Sequence, residues 1–371
     1  MPDPDLICEV RTNGGTYRDW VSVAVEQNYL SEGWIRSFRL VCAEPSAVAN
    51  LRLKPGDRGD IALAGQVVIQ EGYIRDRQAA YDGNRHAVQV VGYGKAGIIT
   101  EASIDGGTGQ YRGYKLDAIA NSVLKPYGLS FRVQNGPDGW DMPFPNVMVR
   151  YGETPFDLIS RLCRQRNLFF YADKAGNLVA GPKSGGGLVA FVEGQNILSA
   201  NCQLRHLAVE ALVSNSQQPG SDSLFGKKTA EIQAKATVTG GTPGAKLKVL
   251  SEMPSDQKGT QMRTDWEAAA LQAMALQLQL TYQGWLKPGV GGLWDPSDGV
   301  TVKSPMLFAT ESGEEELKVA GYAYTQDPNG GTTTTLDLVN KLAWQQRKGD
   351  ATKNGGFYDL GNSAAQPEAA T

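Results

Sequence analysis

Histidine is nearly absent from this 371-residue chain, with only His86 and His206. Both fall in stretches expected to be strands, which excludes a two-histidine metal pair at helical spacing. A packed or solvent-facing strand histidine is the expectation for each. The four cysteines, Cys8, Cys42, Cys163 and Cys202, are widely separated with no C-x-x-C. That excludes a recognisable zinc knuckle or a dense disulfide framework and leaves buried free thiols as the expectation. There is no G-x-S-x-G, and the serines have no identifiable base partner, so serine nucleophile chemistry has no support. No stretch approaches the roughly 18 apolar residues of a membrane span, and Met1-Pro2-Asp3-Pro4-Asp5 lacks a basic export segment. The expectation is a soluble, cytosolically made product with no stable membrane association. A net charge of −3, with 36 scattered basic residues, provides no electrostatic footprint for gripping phosphates.

Two further patterns could carry chemistry, and neither does on inspection. Gly92-Tyr93-Gly94-Lys95-Ala96-Gly97 is glycine-rich but lacks G-x-x-x-x-G-K-[ST] and a following amphipathic helix. Glu314-Glu315-Glu316 sits in a Ser-Gly-bounded turn and reads as a solvated hairpin tip. Two carboxylates facing each other across a cleft would need a different spacing. No catalytic, cofactor or metal residues are assigned.

What the chain does have is glycine, 44 residues of it, with 41% hydrophobic and 20% charged residues. Such a composition suits a globular, turn-rich protein that is mainly β. Its length calls for more than one core. Residues 6–100 read as successive strands in a small barrel or sandwich, with Asp82-Gly83 supplying a tight hairpin turn. Between 101 and 187 helical spacing appears. Leu116, Ile119, Ala120, Val123 and Leu124 form one apolar face, while Phe156, Ile159, Leu162 and Cys163 form a second behind a Thr154 N-cap and Pro155. A hairpin over 168–180 and a Pro/Gly linker over 182–187 follow. Strands resume from 188 to 345, interrupted by a helix expected near 264–275, where Thr264 and Glu267 have capping-box spacing. From Leu276 the period becomes two, marking a strand. Residues 346–371 read as an extended tail.

The two β-rich stretches resemble each other. Gly72-Tyr73 followed by Asp82-Gly83 is echoed by Gly321-Tyr322 followed by Asn329-Gly330, and Pro55-Gly56-Asp57 by Pro296-Ser297-Asp298. Upstream, Trp20 to Val25 followed by Phe38-Arg39-Leu40 resembles Ile197 to Cys202 followed by Ala211-Leu212-Val213. The shared order predicts a duplicated β module. A closed ring of three such subunits would present six similar modules, so that a threefold object could mate with a sixfold one.

Three stretches carry a resemblance to a known family: Tyr151 to Ile159 with its 173–178 hairpin, Gln283 to Pro296, and Val319 to Leu338. Through them the chain resembles the Mu-like phage tail and baseplate hub proteins, which are relatives of the T-even baseplate hub and of the hub part of type VI secretion spikes. The resemblance implies two tube-type β-barrel domains, 1–100 and 188–345, a helix-containing middle domain, 101–187, and a C-terminal tail. It implies no enzymatic activity and no cofactor. A homotrimeric pseudo-sixfold ring would lie beneath a hexameric tail tube and above a trimeric spike, in the baseplate of a contractile tail assembled in the host cytoplasm. Baseplate wedge and tape-measure proteins are further partners, and DNA is only passing cargo, for which a neutral or acidic bore is expected. One departure stands out, since Ser297 occupies a turn position where the family favours glycine. The helix-hairpin unit over 154–180 also resembles small cell-wall-binding modules. The competing function is therefore a tail accessory that binds or degrades peptidoglycan, with Phe169-Phe170-Tyr171 as its candidate surface. Core packing is the commoner fate of such a run.

Overall fold

The computed structural model describes residues 4–28, 34–43, 52–82, 86–105, 109–183, 187–218, 220, 225–251, 253–308 and 312–341. The chain is mainly β with helical insertions. The first β region contributes β1 (Cys8–Thr12), β2 (Gly15–Tyr17), β3 (Ser22–Asn28), β4 (Ser37–Cys42), β5 (Arg58–Leu63), β6 (Gln66–Tyr81) and β7 (His86–Tyr93). Inward positions on these strands alternate, as with Val23 and Val25 on β3 and Phe38 and Leu40 on β4, so one face is buried by the period-two rule.

The middle region begins with a single helical turn, α1 (Ile98–Glu101). It continues through β8 (Gln110–Tyr111), α2 (Leu116–Leu124), β9 (Phe131–Val133), β10 (Val147–Met148), α3 (Pro155–Gln165), β11 (Phe170–Ala172) and β12 (Leu178–Ala180). Both expected helices form where the apolar spacing placed them. Thr154 caps α3, its Oγ1 accepting from the Asp157 N–H at 3.1 Å, and Pro155 takes the first turn. In the hairpin, the Asp173 carboxylate accepts from the N–H groups of Ala175 and Asn177. Behind it, Trp34 stacks on Phe156 at 4.6 Å and meets Phe170 edge-on at 5.7 Å.

The second β region contains β13 (Val189–Val192), β14 (Ser199–Leu204), β15 (Ala211–Ser216), α4 (Lys227–Ala230), β16 (Ile232–Thr237), β17 (Lys246–Leu250), α5 (Gln257–Ala273), β18 (Leu276–Gln283), β19 (Gly299–Lys303), β20 (Glu314–Asp327) and β21 (Gly331–Asn340). Helix α5 starts earlier than its capping-box pattern suggested. Asp256 is the N-cap, accepting from Gly259 N–H at 2.8 Å, while Thr264 lies mid-helix and bonds back to the Thr260 carbonyl at 2.7 Å. Glu314-Glu315-Glu316 likewise differs from expectation. These residues open β20 and pair with β19, and Glu316 meets Lys341 at 2.9 Å.

The main sheet has 13 strands. Its path runs β14, β18, β21, β20, β3, β4, β7, β6, β5, β1, β2, with β19 and β13 branching from β20. The path is open among the described residues, and no closed barrel forms there. Within it the two regions have the same order: β3, β4, β7, β6, β5, β1 in one and β14, β18, β21, β20, β19, β13 in the other. One difference is that β1 runs antiparallel to β5, whereas β13 runs parallel to β19.

The ladders also correspond residue by residue. Phe38 pairs with Gly92 as Leu278 pairs with Leu338, and Ser22 pairs with Val41 as Ser199 pairs with Thr281. The β6–β7 and β20–β21 ladders are each interrupted by a bulge on the long strand, between Ile74 and Asp76 on β6 and between Val319 and Gly321 on β20. Gly321 therefore holds the ladder position of Asp76, and the two Gly-Tyr pairs lie on opposite sides of their bulges. Two parts of the sequence alignment are corrected by this geometry. Gly72-Tyr73 is not the counterpart of Gly321-Tyr322. Ala211-Leu212-Val213 is not the counterpart of Phe38-Arg39-Leu40, because β15 belongs to a separate sheet with β16 and β17, inserted between β14 and β18 with α5.

The turn before each branch strand is duplicated in detail. Gly56 N–H donates to the Ile74 carbonyl at 2.8 Å and Ser297 N–H to the Val319 carbonyl at 3.0 Å. Asp57 accepts from Lys54 N–H at 2.9 Å and Asp298 from Asp295 N–H at 2.8 Å. The residue after proline is left-handed in both, with φ +90° at Gly56 and +65° at Ser297. A serine there carries a steric cost of roughly 1–2 kcal/mol. It also has a task, since its buried Oγ accepts the backbone N–H of Lys183 at 3.0 Å.

One apolar cluster spans both β regions, joining Val25, Leu40 and Val90 to Leu280, Tyr324 and Leu336. A second fills the middle region, and a small third lies under α5. Each fully buried Leu or Val contributes roughly 1.5–3 kcal/mol, more than exposed ion pairs such as Arg75–Glu101. The shared core therefore joins the regions more strongly than surface charge does. If Ser297 is held as argued, Ser297→Ala should destabilise the protein by about 1 kcal/mol in urea unfolding. Ser297→Gly should be close to neutral, because losing the acceptor is offset by relief at the left-handed position. A larger loss for glycine than for alanine would contradict this account.

Candidate functional site

The two β regions meet where β3 pairs antiparallel with β20, Asn28 facing Gly321 and Val23 facing Gln326. A Cβ on Gly321 would lie 2.7 Å from Asn28 Cγ and 3.0 Å from its Cα, so a side chain there would push the strands apart. Beside it, Asn28 Nδ2 donates to Asp337 at 2.6 Å, and Gln279 reaches the other oxygen of the same carboxylate at 3.1 Å.

Under this ladder lies a buried polar node. Gln27 occupies the inward position that follows Val23 and Val25 and is 1% exposed. Its Nε2 donates to the carbonyls of Trp34 at 2.8 Å and Ala172 at 3.0 Å, and its Oε1 accepts from Arg36 Nε at 3.2 Å and Tyr322 OH at 2.9 Å. All four hydrogen-bonding capacities of the amide are met. Arg36 continues outward, donating to the Val68 carbonyl at 2.6 Å and to Asp295 at 3.2 Å. Lys183 bridges Asp295 and Asp298 at 3.2 and 3.4 Å, and Lys287 reaches Asp298 at 2.7 Å. Thus the first β region, the second, the middle region through Ala172, and the chain segment leading out of it are tied at one place.

The charges respond to this arrangement. Burial pushes the Asp295 carboxyl up, yet Arg36 and Lys183 outweigh it and hold the group below the ordinary carboxylate range. Lys183 loses charge stability through burial but gains more from Asp298 and Asp295, so its pKa rises. Burial pushes the Tyr322 hydroxyl up, which keeps it protonated as a donor to Gln27.

Among the described repeat-motif residues, only Gly321 and Tyr322 reach this junction. Gly72 lies opposite Gly59, and Tyr73 opposite Arg58, whose guanidinium stands 4.6 Å from the ring centre. Asn329 and Gly330 form the β20–β21 tip, where the Asp327 carboxylate accepts both N–H groups. Asp82 follows the end of β6, while Gly83 and the tail over 346–371 lie outside the described residues. Sequence reasoning missed Gln27, Arg36 and Asp295. A polar residue at an inward position of an alternating strand was the available signal for Gln27.

Phe169, Phe170 and Tyr171 are 3%, 0% and 5% exposed, so this aromatic run packs in the middle core. His86 is exposed and stacks on Tyr81, and His206 meets Thr242 Oγ1 at 3.0 Å. Lys95 in the glycine-rich stretch pairs with Glu71 at 3.3 Å. Among the described residues no group of three or more His, Cys, Asp or Glu could hold a metal ion. No described helix is long and apolar enough to cross a membrane. A cavity of ≈ 220 Å³ is lined by Met142, Phe144, Arg166, Met253 and Asp256 among others. Its Arg166 donates to the Met142 carbonyl at 2.8 Å and stands 3.8 Å from the Phe144 ring centre, with burial lowering its pKa to about 10.

Comparison with known proteins places this architecture. Residues 96–181 match the family model described as baseplate hub protein gp44-like, second domain. Baseplate hub protein gp44 of Escherichia phage Mu is 23% identical over 364 residues, covering 95% of this chain and 94% of that one. The 43 kDa tail protein of prophage MuSo2 from Shewanella oneidensis superposes with a TM-score of 0.73 at 22% identity, over 90% of this chain and 98% of that one. The E. coli c3393 protein, a type VI secretion component with structural similarity to T4 tail proteins gp27 and gp5, gives 0.54 at 10% identity, over 89% and 76%. The resemblance to Mu-like baseplate hub proteins, first carried by three short stretches, therefore extends over nearly the whole chain.

Two measurements test the node. Gln27→Leu strands four partners in a buried site and should cost about 3 kcal/mol in urea unfolding. Because Asp295 has a depressed pKa, its contribution is full above the unfolded value near ~3.9 and is lost as pH falls through the folded value. The stability gap between the parent protein and Asp295→Asn should be constant above about pH 5 and shrink as pH falls below the unfolded value. A gap that widens on acidification would refute the assignment.

Proposed function

We propose that the chain is a structural hub protein of a contractile phage tail baseplate and performs no covalent chemistry. The observation that carries this reading is the duplication: two β regions of the same strand order and register lie in one sheet of one subunit. Each subunit thereby supplies two near-equivalent modules, and a cyclic trimer supplies six. On this reading a homotrimer forms a pseudo-sixfold ring, with a hexameric tail tube above and a trimeric spike below. Baseplate wedge and tape-measure proteins are neighbours, and DNA passes through the bore. The division into domains 1–100, 101–187 and 188–345 with a tail over 346–371 belongs to the same reading, as does residence in the virion after assembly in host cytoplasm. Full-length similarity to Mu gp44, a baseplate hub protein, supports the structural role. Burial of Phe169-Phe170-Tyr171 counts against the alternative, suggested by the 154–180 unit, of a tail accessory that binds or degrades peptidoglycan.

Native mass measurement of the purified protein, together with electron microscopy of assembled particles, tests the proposal. A trimer located between tube and spike is the expected result. A monomer that never joins a tail would sink it.

A further inference from the structure

Three buried arginines in this chain sit against carboxylates. Arg161 meets Glu153 at 2.6 Å, Arg263 meets Glu267 at 2.6 Å, and Arg36 meets Asp295 at 3.2 Å. Arg166, 4% exposed, has no such partner among the described residues. Its Nη2 donates to the Met142 carbonyl at 2.8 Å and at 3.4 Å to that of Pro143, and its guanidinium carbon stands 3.8 Å from the Phe144 ring centre. Its Nε–H has no acceptor there. Neutral carbonyls and a ring face offset part of the cost of burying a charge, and an anion is what would offset the rest.

This guanidinium lines the cavity of ≈ 220 Å³, where three segments converge: the 142–145 loop ahead of β10, the end of α3 and the approach to α5. Phe144 and Met253 are buried in its wall, and three prolines add rigid apolar surface. Roughly 150 Å³ is enough to hold a benzene ring, so a ring or branched alkyl stem fits together with a charged head. Asp256 also lines the cavity. One of its oxygens already accepts the Gly259 N–H at 2.8 Å as the cap of α5, and its charge disfavours a dianion such as phosphate. Apolar walls would also leave the outer oxygens of a phosphate without donors. We infer that the cavity binds a monocarboxylate carried on an apolar stem. The carboxylate accepts a charge-assisted hydrogen bond from Arg166 Nε–H, and the stem lies against Phe144 and Met253. Two sources carry such a group: a free organic acid, or an acidic residue between apolar neighbours, as in Phe357-Tyr358-Asp359-Leu360. The site does not depend on the ring reading above.

Calorimetric titration of the full chain with sodium benzoate tests the site. Benzoate should bind about tenfold more tightly than benzyl alcohol, which has the same ring and no charge. Arg166→Gln should remove that preference, lowering benzoate affinity about tenfold and leaving benzyl alcohol within about twofold. Met142→Trp keeps the guanidinium and narrows the cavity from a partly buried wall, so it should weaken both ligands. Unfolding midpoints check that each variant is folded, and Met142→Trp carries the test if Arg166→Gln is not. Asp359→Asn separates the two sources. A benzoate affinity raised about threefold assigns the carboxylate to the chain's own tail, whereas an unchanged affinity assigns it to a free acid. Equal binding of benzoate and benzyl alcohol, or benzoate binding untouched by both cavity variants, overturns the inference. Absence of benzoate binding in both the parent protein and Asp359→Asn overturns it as well.

Discussion

The β3–β20 ladder is the contact on which the rest of the structure depends, because it turns two β regions into one sheet. It forms only if two backbones approach closely at Gly321 and if the polar groups trapped beneath them are satisfied. Gln27 meets the second condition by using both amide hydrogens and both oxygen lone pairs. A half-satisfied amide in that position would cost more than an apolar residue. The residue is therefore a commitment to a single docking geometry: Trp34, Arg36, Ala172 and Tyr322 must all arrive together. The middle region contributes Ala172 and so is fixed to the sheet by the same condition.

Much of this was legible in the chain because local rules dominate there. Helices α2 and α3 follow from apolar spacing, and α3 from its Thr154 cap and Pro155. The change from α5 to β18 follows from the switch in period at Leu276. The paired turns at Pro55 and Pro296 could be matched because proline and aspartate fix the same backbone whatever surrounds them. Ser22 and Ser199 were likewise matched in register by alternating strands of similar character.

What sequence could not reveal were effects that depend on partners far along the chain. A bulge moves every later side chain by one ladder position, and nothing in Gly-Tyr says on which side of a bulge it falls. The strand following β14 in sequence is β15, but the strand beside it in space is β18, since an inserted sheet and helix intervene. Alternation alone cannot tell those two cases apart. Thr264 and Glu267 satisfy a capping pattern, yet Asp256 starts the helix earlier because burial against β15 and β16 sustains the extra turns. Asp295 has no local mark at all; its role arises from Arg36 and Lys183 converging on it.

The buried polar node and the duplication are connected physically, because the node lies where the two β regions meet. At this seam between structural units Asp295 and Lys183, each shifted towards its charged form, pair with one another, while the protonated Tyr322 hydroxyl donates to Gln27. Their effect is rigidity. On the proposed ring reading, a fixed internal junction would keep angular error from adding at each contact between copies.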